Sequence, residues 1–285
     1  MIKLIECPRD AMQGLHDFVP TEEKINYLNS LLRIGFDTLD FGSFVSPKAI
    51  PQLRDTAEVL AQLDLESTPT KLLAIVANLR GAQDACQHPE IQYLGFPLSV
   101  SETFQQRNTN KSIAEALEVV ADIQELCIKH GKTQVVYLSM GFGNPYNDPY
   151  SPNVLVDFVE KLAHLDIKIV SLADTIGVSH PDLIKNCFEG LLPAHPGIEF
   201  GAHLHSHPNT IAEKVTAILE AGVSRIDTAM KGYGGCPMAK DDLVGNLATE
   251  AVVAHLAHLG EKPGLNEEAF SKSLGLAGNL FGTYV

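Results

Sequence analysis

Two histidines separated by one residue, His203 and His205, have the types and spacing that most directly indicate chemistry in this sequence. Residues two apart on a β-strand point to the same face, so both imidazoles would share one side while Leu204 points away. Imidazole is a common metal ligand, and Asp10 would add a carboxylate oxygen from another strand. Such a set leaves coordination positions for water and substrate. Taken alone, the pair also fits two hydrogen-bonded histidines at a strand end.

Three further charged residues lie at or just after the ends of predicted strands, and each has a structural and a chemical interpretation. Arg9 either neutralises the adjacent Asp10 or stabilises an oxyanion that develops during a reaction. Asp40 and Asp174 either accept hydrogen bonds from backbone N–H groups, or act as outer metal ligands or proton carriers.

A glycine-rich segment, 232–237, contains Cys236. It fits a tight turn with an incidental cysteine, or a loop that closes over substrate and delivers a thiol. Asn246, at the predicted start of the last helix, could cap that helix or supply an amide oxygen as a fourth metal ligand. The other four cysteines are widely spaced and form no CxxC pair, which predicts buried thiols.

These residues meet only in a fold whose strands all end at one place. Short apolar runs at 2–6, 36–41, 71–76, 91–98, 133–139, 167–172, 198–203 and 224–228 predict eight strands. Helical patterns occupy 21–34, 47–63, 112–130, 151–165, 181–192, 208–221 and 245–259, with a weaker one at 80–86. The alternation predicts an α/β protein, a (β/α)8 TIM barrel, formed by one domain over residues 1–285 with a C-terminal helical extension.

A doubly wound open sheet is the alternative architecture. Its dinucleotide-binding version requires a glycine-rich turn after the first strand, and this chain has Cys7, Pro8 and Arg9 there instead. In a barrel, chemistry lies where strands end and βα loops begin, which is where Asp10, Asp40, Asp174 and His203 are expected.

Composition excludes several classes of protein. The net charge of −14 disfavours binding to nucleic acid, whose phosphates would be repelled. The chain has no run of about 18 apolar residues, so no membrane span is expected. The first residues predict a strand rather than a signal peptide, so a cytoplasmic location is expected.

Seven segments, in this order, resemble the 3-hydroxy-3-methylglutaryl-CoA lyase family of metal-dependent TIM barrels. They are 9–13, 43–48, 108–113, 174–177, 203–205, 234–237 and 245–250. The resemblance extends from the first strand to the last helix. It implies a lyase that splits 3-hydroxy-3-methylglutaryl-CoA, an acyl-CoA thioester, into acetyl-CoA and acetoacetate by a retro-Claisen reaction. The family also implies a homodimer.

The resemblance assigns roles to residues of this sequence. It implies that Asp10, His203, His205 and Asn246 surround Mg2+ or Mn2+, although two imidazoles also suit Zn2+. It implies Arg9 as the oxyanion stabiliser, Cys236 as the loop thiol, and Asp174 as a functional aspartate. Asp40 stands where the lyases have a glutamate, and it or His203 is expected to take the proton of the substrate hydroxyl. The matching segments also imply substrate binding by Gln13, Ser43, Lys48, Asn108 and Asn110.

The chain keeps the expected metal ligands but departs from the lyase pattern in the expected surroundings of the substrate. The acid that usually follows Gln13 is absent, Ser206 replaces an aspartate, and Met238 replaces a tyrosine; a family cysteine is missing at Asn144. These changes put the exact acyl group in doubt more than the reaction type, and they support a degenerate barrel as one of three alternatives. The chain could be a condensing acyltransferase of the isopropylmalate or homocitrate synthase type, an aldolase, or a catalytically degenerate barrel that binds acyl-CoA or metal.

Overall fold

Eight parallel strands close into a barrel in sequence order, with the first strand paired to the last. The structure is a computed structural model that describes residues 2–235 and 244–284. The strands are β1 (Lys3–Glu6), β2 (Thr38–Ser43), β3 (Lys71–Ile75), β4 (Ile91–Ser99), β5 (Thr133–Ser139), β6 (Ile169–Asp174), β7 (Glu199–Leu204) and β8 (Arg225–Thr228). The predicted barrel is confirmed.

Eleven α-helices occur in the described ranges and surround or close the barrel. They are α1 (Pro8–Gln13), α2 (Thr21–Leu32), α3 (Thr56–Leu60), α4 (Leu79–Cys86), α5 (Glu102–Thr109), α6 (Ile113–His130), α7 (Pro152–His164), α8 (Pro181–Glu189), α9 (Ile211–Glu220), α10 (Thr249–His258) and α11 (Glu267–Tyr284). Within the described part of the chain, no helix has both the length and the apolar character needed to cross a bilayer. That residues 1–285 form one domain stays a prediction.

The structure differs from the predicted elements at three places, each for a local reason. Arg9 and Asp10 do not end the first strand but lie in α1, where Pro8 takes the first position, which needs no N–H donor. The helix expected over 47–63 is reduced to a 3-10 turn at Pro51–Leu53 and α3, because proline disfavours helical backbone before it. Helix α5 was missed because its sequence is polar; a hydrogen bond from Phe104 N to the Ser101 side chain begins it.

The core has an outer and an inner part. Apolar faces of the helices pack on the outside of the sheet, and a smaller cluster of Leu73, Ile75, Val135, Tyr137 and Ile169 fills the barrel interior. Strands buried on both faces are expected for a parallel barrel. The four described cysteines are buried, as predicted.

A buried carboxyl group, that of Glu6, joins β1 to β8 and α10. It accepts hydrogen bonds from the Met230 backbone N–H at 2.7 Å and the Thr249 hydroxyl at 2.6 Å. Helix α11 lies against α2, and its Phe281 ring stacks on Tyr233 with 4.5 Å between ring centres. The C-terminal helix therefore contacts the glycine-rich segment at Tyr233.

Candidate functional site

A cavity of about 450 Å³ opens at the carboxyl end of the barrel, where the polar strand-end residues were expected to meet. Arg9, Asp10, His203 and His205 border it. Hydroxyl groups on its other walls come from Tyr137, Ser139 and Thr175. Apolar side chains there are those of Val45, Ile50, Ile75 and Pro97. The cavity thus places a charged end beside an apolar wall, a combination typical of small-molecule binding sites.

The ligand atoms of Asp10, His203 and His205 lie within 4.8 Å of one another, so one cation could contact all three. Each histidine uses Nδ1 elsewhere: His203 contacts Asp227 Oδ2 at 3.1 Å, and His205 contacts the Thr175 carbonyl at 3.1 Å. His205 Nε2 is buried and has no hydrogen-bond partner among the described residues. A buried orphan nitrogen is costly, so this donor set fits a metal ion.

Charge and burial shift the pKa values of Asp10 and His205 toward the protonation states that metal ligands need. Burial opposes ionisation of Asp10, but Arg9 and both histidines outweigh it and hold its pKa below the ordinary value. Burial lowers the pKa of His205, which favours the neutral imidazole that a ligand must be. Asn246 lies beside them, and its Nδ2 donates to Asp10 Oδ2 at 2.7 Å and to the Tyr233 carbonyl at 3.0 Å. This orientation leaves the amide oxygen as the group available to a cation.

Arg9 is held by acceptors on three sides. Its Nε and Nη2 donate to Asp40, and its Nη1 donates to Asp10 and Gln13, both at 2.9 Å. Of the five guanidinium N–H groups, one on Nη2 remains uncommitted within the described structure. Burial raises the pKa of Asp40 to about 6 although Arg9 opposes the shift. Asp40 does not border the cavity; it lies behind Arg9.

Asp174 occupies a different environment from the one predicted for a proton carrier. Its two carboxylate oxygens accept the backbone N–H groups of Val178 and Ser179, both at 2.9 Å. The buried Lys214 ammonium lies 3.5 Å from Asp174 and donates to the His205 carbonyl at 2.9 Å. Asp174 does not border the cavity, and this geometry favours its structural interpretation.

The predicted substrate-binding residues divide into two groups. Gln13 and Asn108 border the cavity. Ser43 is buried beside it and accepts the Val45 backbone N–H, Lys48 is exposed, and Asn110 ends α5 in the left-handed conformation. Cys236, the predicted loop thiol, lies outside the described residues.

A second cluster with metal-ligand types lies beneath the first. Cys7 and Asp227 bring ligand atoms within 4.8 Å of one another and of His203, which both clusters share. Sequence reasoning missed Asp227 and its neighbour Arg225. The signal was present, because two charged residues two apart in a predicted buried strand must face the same side.

Comparisons with known proteins agree with this geometry. A family model described as HMGL-like matches residues 2–274. The chain is 33% identical over 261 residues to a hydroxymethylglutaryl-CoA lyase of Bacillus subtilis, with 92% of this chain and 86% of the relative covered. The structure of the HMG-CoA lyase from Brucella melitensis has a TM-score of 0.90 at 30% identity, with 99% of both chains covered. An HMG-CoA lyase from Acinetobacter baumannii, solved with coenzyme A and 3-methylmalate, has a TM-score of 0.91 at 29% identity and covers 99% of this chain and 92% of its own.

Proposed function

Because the chain belongs to the HMGL-like family, we propose that it is a divalent-metal-dependent carbon–carbon lyase. Its proposed reaction is the cleavage of 3-hydroxy-3-methylglutaryl-CoA to acetyl-CoA and acetoacetate. The observation that carries this proposal is the meeting of Asp10, His203 and His205 with Arg9 at one cavity. The A. baumannii lyase, solved with coenzyme A, supports a thioester substrate.

We propose Mg2+ or Mn2+ as the cation, held by Asp10, His203, His205 and Asn246. Carboxylate and amide oxygens suit these hard ions, while the two imidazoles also admit Zn2+. When bound, such an ion polarises a coordinated hydroxyl or carbonyl oxygen as a Lewis acid. The chain supplies the remainder of the chemistry through its own side chains.

In the proposed reaction, the tertiary hydroxyl gives its proton to solvent water, the adjacent carbon–carbon bond breaks, and the hydroxyl oxygen becomes the keto oxygen of acetoacetate. The electron pair of the broken bond passes to the carbon beside the thioester, which takes a proton back from solvent to give acetyl-CoA. Arg9 would stabilise the negative charge on the thioester oxygen through its uncommitted Nη2 N–H. Asp40 fixes the guanidinium plane from behind, so it acts through Arg9 rather than on the substrate.

His203 is the one of the two predicted bases that borders the cavity. Asp227 occupies its Nδ1, so Nε2 is the nitrogen that would hold the cation. Ligation and proton acceptance therefore compete for one nitrogen, and we propose that ligation takes it. The homodimer, the cytoplasmic location and the role of Cys236 stay predictions.

The direct test is an incubation of purified protein with 3-hydroxy-3-methylglutaryl-CoA and Mn2+ or Mg2+. We expect acetyl-CoA and acetoacetate in equal amounts, and no reaction after chelation of the metal. Acetyl-CoA with a panel of 2-oxo acids tests the condensing alternative, for which rapid release of free thiol is expected. A metal-loaded protein that cleaves no hydroxyacyl-CoA would instead favour a degenerate barrel.

Arg9→Met tests the oxyanion role, but it would leave Asp40 buried without its cation, which is itself destabilising. The informative variant is therefore Arg9→Met combined with Asp40→Asn. We expect its turnover to fall by about a hundredfold or more, while Arg33→Met, at the exposed end of α2, serves as the matched control. Near-normal turnover of the double variant with intact metal binding would refute the role of Arg9.

A further inference from the structure

The barrel interior beneath the proposed metal site contains a carboxylate in contact with one of its ligands. Asp227 on β8 is 1% exposed, and its Oδ2 lies 3.1 Å from His203 Nδ1. Histidines that bind metal through one nitrogen generally donate the other N–H to a carboxylate or carbonyl, which fixes the tautomer and the ring orientation. Since His203 also belongs to the lower cluster with Cys7, the role of Asp227 decides which cluster the imidazole serves.

A buried ionised carboxylate requires compensation, because the interior solvates charge poorly. One histidine contact does not satisfy Asp227, whose Oδ1 has no hydrogen-bond partner within residues 2–235 and 244–284. Arg225 lies two residues earlier on β8 and therefore on the same side of the strand. It is fully buried, and its guanidinium nitrogens have no hydrogen-bonded acceptor in those ranges.

Arg225 is a buried cation with several acidic neighbours, Asp227 among them. Burial lowers the pKa of Arg225, but Asp227 first, and then Tyr137, Glu199 and Tyr93, outweigh burial and hold it above the ordinary value. Two carboxylates lie at the outer limit of ion pairing, Glu199 at 3.7 Å and Asp37 at 4.0 Å, and neither accepts a hydrogen bond from the guanidinium. Among the residues that the structure describes, Arg225 is thus a buried cation without a hydrogen-bonded acceptor, on the same side of β8 as a buried carboxylate oxygen that also lacks a partner.

β7 makes room for this arginine. A Cβ at Gly201 would lie 3.1 Å from Arg225 Cδ and 3.0 Å from Ser171 Oγ, closer than most side chains tolerate. Gly201 stands two residues before His203, on the same side of β7. The strand that carries His203 therefore also leaves space for the aliphatic part of the Arg225 side chain.

We propose that Arg225 and Asp227 form a charged column under the metal site that positions His203. Asp227 accepts the Nδ1–H of His203, so Nε2 faces the mouth cluster with Asp10. Arg225 supplies the compensating positive charge, so Asp227 acts as a hydrogen-bond acceptor and not as a ligand of the lower cluster. The column rests on the proposed metal site, and both residues are positioning residues rather than catalytic ones.

The test is a Mn2+ titration followed by electron paramagnetic resonance, which needs no substrate. We expect Asp227→Asn to weaken Mn2+ binding by about ten- to hundredfold. Arg225→Met should weaken it in the same direction by a smaller factor, and Arg225→Lys, which keeps the charge, should restore much of the loss. Asp122→Asn, on the exposed face of α6, is the matched control.

A second measurement separates positioning from general destabilisation. The protein is labelled with 15N-histidine and loaded with Mg2+. The 15N resonances should show His203 protonated at Nδ1 in the wild type and a mixture of tautomers in Asp227→Asn. Thermal melting curves check that both proteins are folded. If Asp227→Asn binds Mn2+ within about twofold of the wild type, or keeps the Nδ1–H tautomer, the column is refuted. Unchanged affinity in Arg225→Met removes Arg225 from it. A protein that binds Mn2+ as expected but cleaves no hydroxyacyl-CoA refutes only the proposed function.

Discussion

The carboxyl group of Glu6 makes stability depend on pH in a way that one substitution should abolish. Glu6 is fully buried, and burial raises its pKa from 4.5 to about 8 although hydrogen bonds from Thr249 and Met230 oppose the shift. In the unfolded chain the same carboxyl ionises near its ordinary value. The folded protein therefore keeps Glu6 protonated at neutral pH, while the unfolded chain releases that proton.

The sign and size of the effect follow from linkage. A carboxyl whose pKa is raised by folding does not lower the free energy of unfolding below about pH 4.5, because the folded and unfolded states both bind the proton there. Above that pH, stability falls by about 1.4 kcal/mol per pH unit until the folded protein ionises near pH 8. The whole rise corresponds to roughly 5 kcal/mol, to order of magnitude.

Glu6→Gln resembles the protonated acid and cannot ionise. It can still accept the Met230 N–H, and the Thr249 hydroxyl can turn to meet its amide. Urea unfolding of both proteins is measured across pH 5 to 8. The unfolding free energy of the variant minus that of the wild type should rise by about 1.4 kcal/mol per pH unit. Glu66→Gln removes an exposed carboxyl and should give a flat difference. A flat difference for Glu6→Gln as well would refute the reasoning.

Three further substitutions test a close approach beside the site, an exposed helix position and a buried ion pair. A Cβ at Gly245 would lie 2.1 Å from the Gly232 carbonyl oxygen, so Gly245→Ala should displace Asn246 and weaken Mn2+ binding in a titration. Gly275→Ala, on an exposed part of α11 with no atom within 4 Å, should instead stabilise the protein by about 1 kcal/mol in urea unfolding. Asp174→Asn should lower the unfolding free energy by about 3–5 kcal/mol, because it leaves a buried ammonium unpaired; a loss below about 1 kcal/mol would contradict this.

The barrel and its mouth were predictable because they depend on local patterns. Alternating strands and helices predict a barrel, and strand ends predict where polar groups meet. His203 and His205 share a face because their spacing on a strand is two. Asp10 reached the same place by another route, since it lies in the first turns of α1 and not at a strand end. The sequence therefore predicted correctly that these residues meet, but it did not predict that Asp10 would reach the site from a helix.

Partners inside the barrel were not predictable in the same way. Arg9 and Asp40 are 31 residues apart, and His203 and Asp227 are 24 apart. Which side chains meet across the interior depends on the tilt and stagger of all eight strands, which no single strand encodes. Asp174 shows the same limit. The sequence allowed either a backbone acceptor or a proton carrier, and only the positions of Val178 and Lys214 favour the acceptor.

The charges around the cavity favour an order of binding. Arg9 is the one arginine or lysine that borders the described cavity, and Asp10 and Asp40 already form ion pairs with it. Burial lowers the pKa of His205, so that imidazole adds no positive charge. Burial opposes protonation of His203, but Asp227 and Asp10 outweigh it and raise the pKa, and the carboxylate of Asp227 at 3.1 Å offsets any charge on that imidazole. An anionic thioester approaching this end of the barrel would meet net negative charge, in a chain whose net charge is already −14. A divalent cation reverses the local sign, so its binding should precede that of the substrate.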